Sequence, residues 1–104
     1  MKNIENKIIE TIMATLDVDK IILFGSRARG DSQQRADVDI AVACPNATPG
    51  DWLKLWYAIE DLESLLFIDL TRLDSASAAL KDKIIREGII IYERSKNTAV
   101  TAQS

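Results

Sequence analysis

Three aspartates on two predicted strands are the residues whose types and spacing could do chemistry. Asp37 and Asp39 stand at i and i+2 of an alternating segment, so both carboxylates project from one face of a strand. That pair alone would favour a solvent-exposed strand face. Asp69, however, interrupts the apolar segment 66–70, which otherwise predicts a core strand. If the two strands are neighbours, the three carboxylates suit a pair of hard divalent ions such as Mg²⁺.

A glycine-punctuated segment, residues 25–32, precedes the paired aspartates. Its sequence GSRARGDS nearly matches the phosphate-binding pattern G-x-x-x-x-G-K-[ST], but Asp31 replaces the lysine that would meet the phosphates. A P-loop NTPase is therefore disfavoured, and the G-x-G-x-x-G fingerprint of dinucleotide-binding folds is absent. The groups that the segment still offers to a phosphate are the backbone amides near Gly25, the hydroxyl of Ser26 and the guanidinium groups of Arg27 and Arg29.

The composition narrows the chemistry further. The 104 residues contain no histidine, which removes histidine bases and histidine metal ligands, and the single cysteine, Cys44, excludes an internal disulfide. The net charge of −3 argues against a broad nucleic-acid footprint. No apolar run approaches the roughly 20 residues of a membrane span, and no secretory segment opens the chain. We therefore expect a cytoplasmic domain.

The elements that must position these residues follow from hydrophobic periodicity. The order helix, strand, loop, strand, helix, strand, helix, strand predicts an α/β (α+β) fold, in which a small mixed β-sheet of about four strands is covered by about three helices. Thr48, Pro49 and Asp51 predict a capped start for the second helix, and Gly88 predicts the end of the third. We expect one domain over residues 1–94 and a flexible tail over 95–104.

The predicted helix that begins near Pro49 is rich in aromatic residues. Trp52, Trp56 and Tyr57 lie on it. Core packing is the favoured interpretation for these side chains, and an interface edge is the alternative.

The combination of Gly25-Ser26, Asp37-Val38-Asp39 and the later Asp69 resembles the superfamily of DNA polymerase beta-like nucleotidyltransferases. Within it, the chain is similar to the minimal nucleotidyltransferase (MNT) proteins, which are little more than the catalytic core. The similarity extends over residues 18–94, through the segments FGSRARGD, ADVDIAV, FIDLTRLD and REGIIIYER. One departure is Ala36, where the family usually has serine.

The resemblance implies roles for individual residues. Asp37 and Asp39 would hold two Mg²⁺ ions, and Asp69 would bind the catalytic ion and help to orient or deprotonate an attacking hydroxyl. Gly25 and Ser26 would bind the β- and γ-phosphates of ATP or another nucleoside triphosphate. The implied reaction is an in-line attack on the α-phosphorus that releases pyrophosphate.

The resemblance also implies a partner. MNT proteins commonly act as antitoxins beside a helical HEPN-domain protein, so the implied function is transfer of AMP from ATP to a hydroxyl of that partner, with no direct DNA binding and no membrane. The alternative is a module of weak catalysis that neutralises a HEPN partner by contact. An antibiotic nucleotidyltransferase is disfavoured, because those relatives carry an additional substrate-binding domain.

Overall fold

The structure is a computed structural model, and it describes residues 2–25, 37–62 and 67–94. Within these ranges the chain forms the predicted three helices and four strands, with a single turn of 3₁₀ helix before the last helix. The elements in chain order are α1 (Lys2–Thr15), β1 (Lys20–Phe24), β2 (Asp37–Ala43), α2 (Pro49–Glu60), β3 (Phe67–Arg72), the 3₁₀ turn (Leu73–Ser75), α3 (Ala78–Glu87) and β4 (Ile89–Glu93). The predicted tail, 95–104, and most of the glycine-punctuated segment lie outside the described residues.

The helix boundaries follow from local chemistry. At the start of α2, the Thr48 hydroxyl accepts a hydrogen bond from the Asp51 amide, and the Asp51 carboxylate accepts one from the Thr48 amide, both at 3.0 Å. This confirms the predicted capping box, and Pro49 takes the first helical position, where no amide is needed. Gly88 ends α3, as predicted, with its amide donating to the Ile84 carbonyl.

The four strands form one sheet in the order β3-β2-β1-β4. β1 pairs antiparallel with β2 and with β4, whereas β2 and β3 pair in parallel. The central strand β1 is buried along its middle, as expected of an apolar strand that is covered on both faces. β3 lies at an edge, so the prediction of a core strand around Asp69 was wrong: Phe67 and Asp69 are exposed.

The helices cover the two faces unequally. The larger cluster joins Val38 and Ile40 of β2 to α1 and α2, in which Ile12 and Leu55 are fully buried. The smaller cluster joins Ile22 and Ala41 of the sheet to Ile84 of α3. None of the helices in the described ranges is both long and apolar enough to cross a membrane.

A polar cluster fixes the carboxyl end of β2. Arg72 donates hydrogen bonds to the carbonyl oxygens of Cys44 (3.0 Å) and Ala47 (2.7 Å), while the Asp74 carboxylate accepts one from the Cys44 amide at 2.7 Å. The last helix, α3, is capped instead by Ser77, whose hydroxyl accepts a hydrogen bond from the Leu80 amide at 3.1 Å. Cys44 is fully buried, and this burial raises the pKa of its thiol to about 11.

A second polar cluster ties the end of β4 to the turn between α1 and β1. The Arg94 guanidinium donates to the Val18 carbonyl at 3.1 Å and to the Asp17 carboxylate, and it lies 3.6 Å from the Asp19 carboxylate. The Arg94 amide donates to the Asp19 carbonyl at 2.8 Å. Backbone hydrogen bonding between these two segments therefore extends one residue beyond the β1–β4 pairing.

Candidate active site

Asp39 of β2 and Asp69 of β3 are register partners in the parallel strand pair. Their Cα atoms therefore lie about 4.8 Å apart, and their side chains leave the same face of the sheet. That face is opposite to the one on which Val38 and Ile40 enter the larger cluster. Asp39 is half-buried and Asp69 is exposed. The prediction that the strands carrying Asp39 and Asp69 are neighbours is thus confirmed.

Gly25 leaves room for the Asp39 carboxylate. Phe24, the last residue of β1, is the register partner of Asp39, and Gly25 follows with a φ of +81°. A Cβ atom at position 25 would overlap Oδ2 of Asp39 and lie 3.1 Å from its Cγ. Glycine is required here both by the left-handed backbone and by the close approach of the carboxylate.

A cleft of about 370 Å³ opens beside the two carboxylates at the edge of the sheet. Asp39 and Asp69 form part of its lining, and α2 and β3 supply the rest. The additional lining side chains are Trp56, Glu60, Phe67 and Ile68. Two of these are large apolar side chains with unusual exposure, at 44% for Trp56 and 75% for Phe67. The cleft therefore combines carboxylates with aromatic walls.

The structure describes only part of the remaining predicted site residues. The backbone of Asp37 pairs with Phe67 in the same parallel register, but the side chain of Asp37 lies outside what the structure describes. Ser26, Arg27, Arg29 and Ala36 also lie outside the described residues. Among the side chains that are described, Asp39 and Asp69 come together as a pair, and no group of three acidic or cysteine side chains forms a metal site.

Sequence reasoning did not single out Glu60 or Phe67. Glu60 stands four residues after Trp56, which places both on one face of α2, and Phe67 stands two residues before Asp69, which places both on one face of β3. Those spacings could have suggested the cleft once β3 was assigned to an edge. Trp52 packs against the larger cluster, as core packing predicts. Trp56 and Tyr57 are exposed, so for these two residues the interface alternative stays a prediction.

Comparison with known proteins yields a family and a set of similar structures. The family described as polymerase beta, nucleotidyltransferase matches residues 6–97. A toxin–antitoxin structure with AMP-PNP is 27% identical at a TM-score of 0.69, over 95% of this chain and 81% of that one. A structure of a tri-AMPylated Shewanella oneidensis HEPN toxin in complex with MNT antitoxin is 27% identical at a TM-score of 0.64, over 98% of this chain and 81% of that one.

A third structure, described as a minimal nucleotidyltransferase, has the same fold at 24% identity and a TM-score of 0.68, over 85% of this chain and 89% of that one. No curated protein sequence gives a significant match. The family match extends over most of the chain and includes both described carboxylates and Gly25. This chain therefore belongs to the polymerase beta nucleotidyltransferase family.

Proposed function

We propose that the protein transfers AMP from ATP to a hydroxyl of a HEPN-domain partner, as the antitoxin of a toxin–antitoxin pair. The observation that carries this proposal is the register of Asp39 with Asp69, which sets two carboxylates side by side on one face of the sheet, next to the cleft. The similar structures with AMP-PNP and with an AMPylated HEPN toxin support the choice of nucleotide and partner.

The described residues fit divalent metal ions. Asp39 and Asp69 offer adjacent carboxylate oxygens, which are the ligands that Mg²⁺ prefers, and the missing side chain at Gly25 leaves Asp39 its space. We assign two Mg²⁺ ions to Asp37, Asp39 and Asp69. When bound, such ions neutralise the charge that develops on the attacking and leaving oxygens of the transferred phosphoryl group.

The remaining roles belong to the chain's own groups. The segment that begins at Gly25, with Ser26, Arg27 and Arg29, holds the β- and γ-phosphates. Asp69 orients the acceptor hydroxyl, whose oxygen forms a bond to the α-phosphorus. The bond from that phosphorus to the bridging oxygen breaks, pyrophosphate leaves with the bond electrons, and the hydroxyl proton passes to Asp69 or to solvent. The cytoplasm, which holds ATP and keeps thiols such as that of Cys44 reduced, is the compartment we assign.

Intact-protein mass spectrometry tests the proposal. The chain is mixed with a HEPN-domain partner protein, ATP and Mg²⁺, and we expect the partner to gain mass in whole adenylyl units. Asp39→Asn should fold and leave the partner unmodified, because it removes a metal-binding carboxylate. Asp69→Ala should lower turnover more than ATP affinity, since the triphosphate is held mainly on the Gly25 side.

The exposed aromatic side chains Trp56 and Phe67 favour a second candidate, a module that neutralises the partner by contact alone. Tight binding of the partner, without any gain in mass with ATP, GTP, CTP or UTP, would establish this contact function. Transfer by the wild type that persists unchanged in Asp39→Asn would refute the assigned metal site.

A further inference from the structure

We infer that Arg72 and Asp74 are positioning residues: they fix the register of β3 on β2 and thereby hold Asp69 opposite Asp39. The inference rests on the proposed function, because that function requires the two carboxylates to work together. The pair Arg72 and Asp74 is called the β3 clamp below. Its members follow Asp69 by three and five residues, so the effect of the clamp on the site passes through the backbone of β3.

The register of β3 is only weakly fixed by burial. In the described sheet β3 is an edge strand that pairs with β2 alone, and none of its six residues is fully buried. Ile68 and Leu70 pack against the larger cluster, but a shift of β3 by two residues would keep both on that face, because side chains alternate along a strand. Such a shift would carry Asp69 about 6.6 Å along β2, to a place opposite Ala41.

The β3 clamp supplies the missing constraint at the carboxyl end of the strand pair. Nη2 of Arg72 donates to the carbonyl oxygens of Cys44 at 3.0 Å and Ala47 at 2.7 Å. Oδ2 of Asp74 accepts a hydrogen bond from the Cys44 amide at 2.7 Å. Both backbone groups of Cys44, the residue after β2, are therefore bound from the β3 side. A shift of two residues would break all three hydrogen bonds.

The clamp is better shielded from water than an ordinary surface ion pair. The side chains of Arg72 and Asp74 are 22% and 28% exposed, and Nε of Arg72 lies 3.7 Å from Oδ2 of Asp74. The ion pair of Arg86 with Asp82 on α3, by contrast, has side chains that are 64% and 68% exposed. Hydrogen bonds of charged groups are strong where water is partly excluded, whereas exposed ion pairs contribute little. The β3 clamp can therefore hold a strand in place.

The register matters because the proposed chemistry tolerates little displacement. Two divalent ions that act on one phosphoryl group lie about 3.5–4 Å apart. A displacement of Asp69 by about 6.6 Å exceeds that separation, so a shifted Asp69 could not share the ions of Asp39. Misplacement of a catalytic group by only about 1 Å can lower a rate about 100-fold. The clamp therefore sets turnover without contacting the reacting atoms.

Arg94 offers a matched control for a role in stability alone. Its guanidinium also binds backbone and carboxylate groups, namely the Val18 carbonyl at 3.1 Å and the Asp17 carboxylate. It does so beside β4, the opposite edge strand of the sheet. Arg72→Met and Arg94→Met each remove one guanidinium and keep a long side chain. If both clusters only stabilise the fold, the two variants should affect the site equally.

NMR spectroscopy of the whole chain, without nucleotide or partner, tests the register directly. Nuclear Overhauser effects between the backbone protons of β2 and β3 report which residues are opposite each other. We expect those that join Asp39 to the backbone around Asp69 to weaken or disappear in Arg72→Met and to persist in Arg94→Met. Amide hydrogen exchange in β3 should accelerate about tenfold or more in Arg72→Met, relative to exchange in β1, and by less than about twofold in Arg94→Met.

Steady-state kinetics test whether the register serves turnover. Adenylylation of the HEPN partner is followed by intact mass, at a temperature at which every variant is folded. We expect Arg72→Met to lower kcat about tenfold or more and to change the KM for ATP less than about twofold. Arg94→Met should change neither constant more than about twofold. Arg72→Lys, which keeps a cationic donor, should recover part of the lost kcat.

Asp74 is tested with a pair of variants. Asp74→Asn keeps an oxygen that can accept from the Cys44 amide, so it should retain most of the kcat. Asp74→Ala removes that acceptor and should resemble Arg72→Met. If Arg72→Met does not fold, Asp74→Ala takes its place in the NMR and kinetic measurements, with Asp74→Asn as the control.

The outcomes separate this inference from the proposed function. Unchanged β2–β3 contacts and unchanged exchange in Arg72→Met would overturn the inference, whatever the transfer result. An equal loss of kcat in Arg72→Met and Arg94→Met would also overturn it, because both clusters would then only stabilise the fold. If the wild type transfers no nucleotide but Arg72→Met loses the contacts between Asp39 and Asp69, the proposed function is refuted and the register role of the clamp stands.

Discussion

Replacing Gly25 with alanine should damage the candidate active site through two separate physical effects. The backbone φ of +81° lies in the region that residues with a Cβ atom rarely adopt. The added Cβ would also overlap the Oδ2 atom of Asp39. The carboxylate must therefore rotate away, and this rotation removes it from the position in which it stands beside Asp69.

The magnitude follows from these effects. An L-residue in the left-handed region costs roughly 1–2 kcal/mol, and a side chain forced off its rotamer costs roughly 0.5–1.5 kcal/mol. Alanine also stabilises the folded state by roughly 0.4–1 kcal/mol, because it lowers the conformational entropy of the unfolded chain. The net expectation for Gly25→Ala is a loss of about 2 kcal/mol in the free energy of unfolding, which for a chain of this size lowers the Tm by about 10 °C.

Urea denaturation of Gly25→Ala, Gly50→Ala, Asp39→Ala and the double variant Gly25→Ala/Asp39→Ala measures these contributions. Gly50→Ala in α2 is the matched control, because a Cβ there would meet only the Thr48 hydroxyl oxygen, at 3.7 Å. We expect it to leave the protein as stable or to stabilise it by about 0.5–1 kcal/mol. In the background of Asp39→Ala, the cost of Gly25→Ala should fall to about 1 kcal/mol, because only the backbone effect remains.

Two results would contradict this reasoning. Equal stability of Gly25→Ala and Gly50→Ala would show that neither the backbone conformation nor the carboxylate constrains position 25. An identical cost of Gly25→Ala with and without the Asp39 side chain would show that the two groups do not meet, and the structural basis for placing the carboxylate beside the end of β1 would be lost.

Three further predictions concern the fold. Leu55→Ala should lower the free energy of unfolding by about 2–5 kcal/mol in urea denaturation, because Leu55 is fully buried. Leu53→Ala, at a half-exposed residue of the same helix, is the control and should lower it by less than about 1 kcal/mol. Burial raises the pKa of the Cys44 thiol from 9.0 to about 11, so the thiol ionises at lower pH in the unfolded chain than in the folded protein. We therefore expect the free energy of unfolding of the wild type to fall, relative to that of Cys44→Ala, as the pH rises from 9 to 11. Below pH 9 the difference between the two proteins should stay constant. Thr48→Ala should cost about 1 kcal/mol in thermal unfolding, because the Asp51 amide loses its cap, and a cost near zero would show that the capping box contributes nothing.

Most of the fold was accessible from the sequence because local patterns and global packing agree. The alternation around Val38 and Ile40 places both in the larger cluster, and the Thr48–Asp51 capping box starts α2 where it was expected. The prediction that β3 is a buried core strand was wrong. A run of apolar residues predicts burial, but position in the sheet depends on long-range pairing order, and β3 pairs with β2 alone. Its outward residues are therefore exposed.

The candidate site was predictable in part for the same reason. Residue types and spacing selected Asp39 and Asp69, but only the parallel register shows that they stand side by side. The cleft could not be derived, because it is built where Trp56 and Glu60 of one element meet Phe67 of another. Such a surface depends on how a helix and a strand pack together, and the residue spacing within each element does not reveal that packing.

The pairing of β4 with β1 has a consequence for synthesis on the ribosome. β1 follows the first helix closely, yet one of its two edges is paired only when residues 89–93 arrive, and Arg94 then binds the turn that precedes β1. A nascent chain that still lacks these residues leaves an apolar strand edge open. The sheet is therefore completed only after Arg94 has left the ribosomal exit tunnel, and until then the emerging strand is a candidate for chaperone binding or for mispairing with a neighbouring nascent chain.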